Sequence, residues 1–423
     1  MSLGAVGAAV LMLGMQSGTE VPYAPMPAPA PGASICPEGV CGVEALEGVF
    51  EALAATEAGE RDRPVHILQI GDSHTAGDRI TGALRARLQA RFGAGGRGML
   101  PPGVPYAGYA PMQVEATASD WPVTVAAPGG SGSTPGLQAG LAGAVARLGG
   151  QASLTLSAEG GAAFDRIGVC GDGGPEAGGV TMTTPHETQE ADFRAPERAP
   201  LCWMGRLAQP VQTVTLRPRG EATLYDVWTE RRGTGIVVSN LGVIGATLRD
   251  LAVRDDAVVG VELAAWRPSL IILAYGVNDG FEEGVEAESY AALLRGQIAR
   301  LRRLAPGASL LILGAPDGLK SGLKSGQASG CGADGSRAAP ASLAVVRDVQ
   351  RRLAGEAGVA FWDWYGRMGG DCSAERLATS PEPYMRPDRV HFTSLGAEWI
   401  GGVLSDDLTG AYDRWKAAKG EGD

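Results

Sequence analysis

Histidine is scarce in this chain, with only four among 423 residues, so any reaction that needs an imidazole base has few candidates. A basic stripe is also missing. Lys and Arg total 36 against 47 Asp and Glu, they are dispersed, and the formal net charge is −11. That balance excludes the electrostatic footprint of a nucleic-acid binder and gives no long-range attraction to an anionic membrane surface. No segment beyond the first residues reads as an integral membrane span. The six cysteines form no CxxC pair and no Cys/His cluster with zinc-ligand spacing, so no metal site is expected. No internal repeat is present.

What the chain does contain is glycine (64) and proline (27), a composition of loops and short strands. Its length suits two ordinary domains. An apolar run over 3–15, "LGAVGAAVLMLGM", resembles the core of a secretory signal without its basic flank. The alternative is an Ala-rich, unstructured start. "YAPMPAPAPGAS" reads as an extended Pro/Ala linker. The expectation is an exported protein, periplasmic or extracellular, with 1–42 as signal-like segment and linker. In such a compartment the cysteines can pair, and proximity in sequence suggests Cys36–Cys41, Cys170–Cys202 and Cys331–Cys372. In a reducing cytosol they would be free thiols.

"VHILQI" reads as a strand buried on both faces, and Ile80, Leu84, Leu88 and Phe92 behind it follow a helical period. Strand and helix alternate again from "IVVSNLG" to the final "LGAEWIGGVLSDDLTGAYDRW". Such alternation predicts parallel βαβ units with right-handed crossovers. Between them, short alternating runs with Gly/Pro punctuation predict an all-β sandwich. "LQAGLAGAVARLGG" is the one helical candidate inside it. The expected fold is therefore α/β with a parallel central sheet, over 43–111 plus 236–418, interrupted by a β module at 112–235. Trp121, Trp203, Tyr225 and Trp228 of that module are either a sugar-stacking platform or core aromatics, with the core reading favoured for most of them.

The chemistry begins at "LQIGDSHTAGD". Ser73 follows a strand and opens a helix, where an α/β sheet presents its ligand crevice. There its backbone N–H points toward developing negative charge. The competing reading is a plain helix cap. A nucleophilic serine needs a base, an orienting group and oxyanion donors. Of the histidines, His66 lies inside a strand, His74 would point away from its neighbour, and His186 falls in the β module. His391 in "PDRVHFTSLG" remains, with Asp388 three residues earlier and able to reach its ring. Gly245 in "SNLGVIGAT" offers a backbone N–H without steric cover, and Asn278 in "LAYGVNDG" offers a side-chain amide. Each of these alone is as well explained by turns and caps.

Their order is more specific. GDS, NxGxxG, GxND and DxxH, each at its place along the α/β portion, resemble the four blocks of the SGNH/GDSL hydrolase superfamily. The resemblance implies Ser73 as nucleophile and Asp388 and His391 as orienter and base. It implies an oxyanion hole from the Ser73 N–H, Gly245 and Asn278, and no cofactor. His74 stands where leucine is typical. The first block up to "PPGVPYAGY", "VVSNLGVIGATL", "AYGVND" and "FWDWYGRMGG" are similar to bacterial peptidoglycan O-acetylesterases, although that family often has Glu at the place of Asp279. Its members carry a carbohydrate-binding-module-like sandwich between the first two blocks. The resemblance implies removal of acetyl from the 6-hydroxyl of N-acetylmuramic acid in acetylated peptidoglycan. Polysaccharide O-acetyltransfer, an esterase for another glycan or a lipid, and a non-catalytic glycan-binding protein are the other readings. Oligomeric state is not legible.

Overall fold

The computed structural model describes residues 28–126, 137–321, 330–332 and 335–420. The signal-like run at 3–15 lies outside them, as do 322–329 and 333–334.

Six strands form the central sheet in the order Val40–Cys41, Ala360–Trp362, Ser309–Leu313, Leu270–Ala274, Val65–Gly71, Ile236–Gly242. All neighbours are parallel except the short edge strand Val40–Cys41, which runs antiparallel to Ala360–Trp362. Alternate residues of these strands enter different cores, as a two-residue period requires. Val65, Ile67, Val238, Ile272 and Leu311 pack under the helices Glu47–Glu57, Arg79–Phe92 and Ser394–Gly420. Leu68, Ile70, Leu241, Ile271 and Ile312 pack under Asp256–Trp266, Ala287–Leu304 and Ala341–Ala357. The result is the expected α/β fold with a parallel central sheet, built in three layers, and the apolar character of the strands follows from burial on both faces.

The extra β-rich region consists of two antiparallel sheets. One has the order Thr188–Asp192, Gly179–Thr183, Thr213–Arg219, Ser153–Ala158, Val114–Ser119. The other has Ala199–Val211, Phe164–Gly173, Ala222–Glu230, Ala144–Leu148, Val123–Val125. A core of residues including Leu154, Leu156, Ile167, Val169, Val214 and Leu224 lies between them. The strand Gly98–Leu100, ahead of position 112, also pairs with Val227–Thr229 of this region.

The helical reading of "LQAGLAGAVARLGG" does not hold, because its middle is the strand Ala144–Leu148. Ala146 and Leu148 pack in the sandwich core and Ala144 in the α/β core, and only Arg147 of the strand is exposed. Pairing with Ala222–Leu224 and Val123–Val125 overrides a weak local helix preference. Trp121, Tyr225 and Trp228 are buried, and Trp203 is partly buried against the sandwich core. The three disulfides are Cys36–Cys41, Cys170–Cys202 and Cys331–Cys372. No helix among the described residues is long and apolar enough to cross a membrane.

Candidate active site

The turn after Val65–Gly71 is shaped by two glycines. A Cβ on Gly71 would lie 2.3 Å from the Thr75 hydroxyl and 2.5 Å from the Ala274 carbonyl. A Cβ on Gly242, in the neighbouring strand, would lie 2.0 Å from the Ala76 nitrogen. These gaps let the short helix Ser73–Ala76 sit directly on the strand ends. Asp72 caps it by accepting from the His74 N–H at 2.9 Å. Gln69 donates to the Thr75 hydroxyl at 3.0 Å, and Asn240 donates to the Thr75 carbonyl at 2.9 Å. Asn240 in turn accepts from Arg97 at 2.6 Å, which reaches Asp78 at 2.9 Å. Arg85 donates to the same carboxylate at 2.7 Å. Burial alone would raise the Asp78 carboxyl, but the two guanidiniums outweigh it and hold the group below its ordinary range. A buried ionic net therefore fixes the helix behind Ser73.

The Ser73 hydroxyl meets His391 Nε2 at 2.9 Å. His391 Nδ1 meets Asp388 Oδ2 at 2.9 Å. The other Asp388 oxygen accepts the N–H groups of Val390 and His391, each at 2.9 Å. Partial burial works to raise Asp388, yet these N–H donors and the imidazole win and lower it, so it stays an anion and acceptor. With Nδ1–H donating to Asp388, Nε2 is left as the acceptor facing the serine. The loop is stiffened by Arg386 N–H donating to the His391 carbonyl at 2.7 Å and by the Arg389 side chain, which grips Glu375 at 2.9 and 3.1 Å. Thr393 caps the last helix by accepting the Gly396 N–H at 3.1 Å.

His74 lies behind this pair, and sequence reading underrated it. It is buried, its Nδ1 is 3.1 Å from Asp72 Oδ1, and its Nε2 is 2.9 Å from the Val390 carbonyl. Both partners can only accept, so both ring nitrogens carry hydrogen. Burial opposes that charge, but the Asp72 carboxylate prevails and raises the His74 pKa. Its ring stacks on His391, centroids 5.5 Å apart, and meets Trp364 edge-on at 5.4 Å. Trp364 of "FWDWYGRMGG" also stacks on Phe392, so that stretch supports the histidine loop.

Gly245 has φ +78°, a left-handed turn that favours glycine, in the loop after Ile236–Gly242. Asn278 donates one amide hydrogen to the Ala246 carbonyl at 2.9 Å, which joins the two candidate oxyanion elements. Asp279 accepts the Leu248 N–H at 3.1 and 3.3 Å, a second tie between the same segments. Burial pushes the Asp279 carboxyl up to about 7. Ser73, Asp388 and His391 are thus hydrogen-bonded in a chain, whereas Asn278 is bonded to the Ala246 carbonyl beside Gly245 and not to Ser73. A cavity of about 500 Å³ opens beside Ser73 and His391, with Tyr106, Ile244 and Phe392 in its walls. The remaining histidines are elsewhere: His66 faces Glu230 at 2.8 Å, and His186 is in the β region.

A parallel sheet carrying a Ser–His–Asp chain at the carboxyl ends of its strands defines an α/β acyl hydrolase. The GDSL-like Lipase/Acylhydrolase family model matches residues 212–399, which contain Gly245, Asn278, Asp388 and His391 and begin after Ser73. A solved structure described as a peptidoglycan O-acetylesterase in action shares 28 % identity. The alignment covers 87 % of this chain and 96 % of that one, with a TM-score of 0.72. A family two carbohydrate esterase from Cellvibrio japonicus gives 12 % identity over 71 % of this chain and 98 % of that one, TM-score 0.26. A GDSL-like lipase from Bacteroides thetaiotaomicron gives 12 % identity over 42 % and 76 %, TM-score 0.28. The last two superpose too loosely to bear on function. Curated proteins gave no match. Fold, the family model over 212–399 and the first structure together support a carboxylic ester hydrolase of the SGNH/GDSL type.

Proposed function

We propose that this protein removes O-acetyl groups from cell-wall peptidoglycan, at the 6-hydroxyl of N-acetylmuramic acid, through an acetyl-enzyme on Ser73. The observation that carries the chemistry is the unbroken chain Ser73–His391–Asp388, with 2.9 Å at each link. The likeness that supports the substrate is the 0.72 TM-score to a peptidoglycan O-acetylesterase over most of both chains.

In this mechanism His391 Nε2 takes the Ser73 hydroxyl proton as Oγ bonds to the acetyl carbonyl carbon. The oxyanion that forms is met by the Ser73 N–H, the Gly245 N–H and the free hydrogen of the Asn278 amide. The intermediate collapses, the bond to the sugar oxygen breaks, and that oxygen receives the proton held on Nε2. Water then gives a proton to Nε2 and attacks the acetyl-enzyme, and acetate leaves as Oγ regains its hydrogen. Asp388 remains ionised throughout.

Three disulfides suit an exported protein, where such bonds persist. Residues 112–235 act here as an inserted module of the split hydrolase. With Trp121, Tyr225 and Trp228 buried, Trp203 is the one of its four candidate aromatics with ring surface to offer a sugar.

The test is acetate release from O-acetylated peptidoglycan by wild type and by Ser73→Ala. The variant is expected to lose at least about a thousandfold in rate. Equal release from both would remove Ser73 from the mechanism. Cleavage of aryl acetates without release from peptidoglycan would keep the chemistry and reject the substrate. Acetyl transfer to an added oligosaccharide in excess of acetate release would favour a transferase.

A further inference from the structure

The cavity beside Ser73 has a charge opposite to that of the whole chain. The protein carries a net −11. Yet the cavity wall includes Arg79, Arg386 and His74, and no Asp or Glu. Arg79 is the first residue of the helix Arg79–Phe92 and Arg386 lies in the loop that leads to His391, so the two approach the cavity from different elements. Both are exposed, and among the described residues neither guanidinium makes an ion pair or a side-chain hydrogen bond.

Their nearest acidic neighbours in sequence are already engaged. Asp78 is bound by Arg85, Arg97, Thr81 and the Met112 N–H. Asp388 is bound by His391 and the Val390 N–H. Several exposed arginines elsewhere in the chain find a carboxylate, as Arg91 does with Glu57 and Asp413, or Arg303 with Asp256. Two unpaired guanidiniums facing one cavity would repel each other without a counter-charge. An arginine fork is also well matched to a carboxylate.

We infer that Arg79 and Arg386 bind a carboxylate on the acetylated substrate, so that the enzyme selects an O-acetyl sugar with an acidic substituent over a neutral one. This rests on the Ser73 hydrolase reading and narrows it. Among wall sugars, the carboxylate is that of the lactyl group of a muramoyl residue without a stem peptide, since the peptide link turns that carboxyl into an amide. Tyr106 and Phe392 in the same wall supply apolar surface for the ring. A neutral acetylated glycan leaves both cations without a partner and is the poorer substrate.

The experiment compares 6-O-acetyl-N-acetylmuramic acid with its lactyl N-methylamide, which is the same ester without the negative charge. The readout is the ratio of their kcat/KM values in wild type and in Arg79→Gln/Arg386→Gln. The wild-type ratio is expected to favour the acid by about ten- to a hundredfold, the range for hydrogen bonds to a charged group. It should shrink as salt is raised and fall to near one in the double variant. A wild-type ratio near one, or a ratio unchanged in the variant, overturns the inference. A second arm separates its failure from that of the substrate reading. N-acetylmuramic acid and its methylamide are added as inhibitors of p-nitrophenyl acetate hydrolysis. If neither acetyl sugar is cleaved but the acid inhibits at least tenfold more strongly than the amide, the arginine site stands and the wall substrate falls. If the two inhibit equally, the site falls.

Discussion

His74 donates to a carboxylate on its own turn and to a carbonyl on the loop that carries His391. It therefore clamps the serine-bearing and histidine-bearing segments together, although it touches no reacting atom. Leucine, the residue more typical of this position, would fill similar space and leave both the Asp72 oxygen and the Val390 carbonyl without this partner. His74→Leu is expected to lower kcat by about ten- to a hundredfold through misplacement of the pair, with KM little changed. Steady-state kinetics on an aryl acetate checks the split, and an unaltered kcat would show that the loop holds itself. The grouping of Ser73 with His391 and Asp388 could be read from residue type and order. That of His74 could not, because its partner at Val390 is 316 positions away. The one local signal was an ionisable side chain in place of an apolar one.

The turn that presents Ser73 depends on two strands as well as its own segment. Gly242 belongs to a different βα unit, and its missing side chain is what lets the helix Ser73–Ala76 descend onto the sheet. Gly242→Ala brings a carbon against backbone that cannot rotate away, so strand or helix must shift. We expect a stability loss of about 1–3 kcal/mol, the cost of overpacking, and a loss of at least about tenfold in kcat/KM as Ser73 moves from His391. Thermal melts and kinetics on one preparation check both, and a fully active variant would place the tolerance in the loop. The strand, turn and helix of the first block were legible because their apolar periods are local. "LQAGLAGAVARLGG" was misread for the complementary reason. Its helical spacing is weak, and its pairing partners at Ala222–Leu224 stand more than seventy residues away.

The β-rich region and the α/β portion meet over a buried acid pair. Asp226 is in the strand Ala222–Glu230 and Glu262 in the helix Asp256–Trp266. Burial raises both, Asp226 to about 7, and the pair retains a proton that either acid alone in water would lose. Glu262 also accepts the Leu141 N–H at 2.6 Å. The folded-state pKa of Asp226 lies above its unfolded value near 3.8. The folded form therefore binds more protons between those limits, and stability falls as pH rises from about 4 through 7. Asp226→Asn cannot ionise. Its melting temperature relative to wild type is expected to increase steadily from pH 4 to pH 8. A constant difference across that range would show that the pair does not control this interface.

By itself the sequence determined the alternation of strands and helices, the ordered motifs that supply Ser73, Asp388 and His391, and an even set of cysteines that pair as near neighbours. Each of these follows from short-range pattern or from the kinds of residue a reaction requires. Only the tertiary structure decided the strand at Ala144–Leu148, the clamp at His74, the buried acids Asp226 and Glu262, and the cavity that unites Arg79 with Arg386. In each of those cases the controlling energy is a contact or a loss of water between segments distant in the chain, and that is set by packing and not by period or composition.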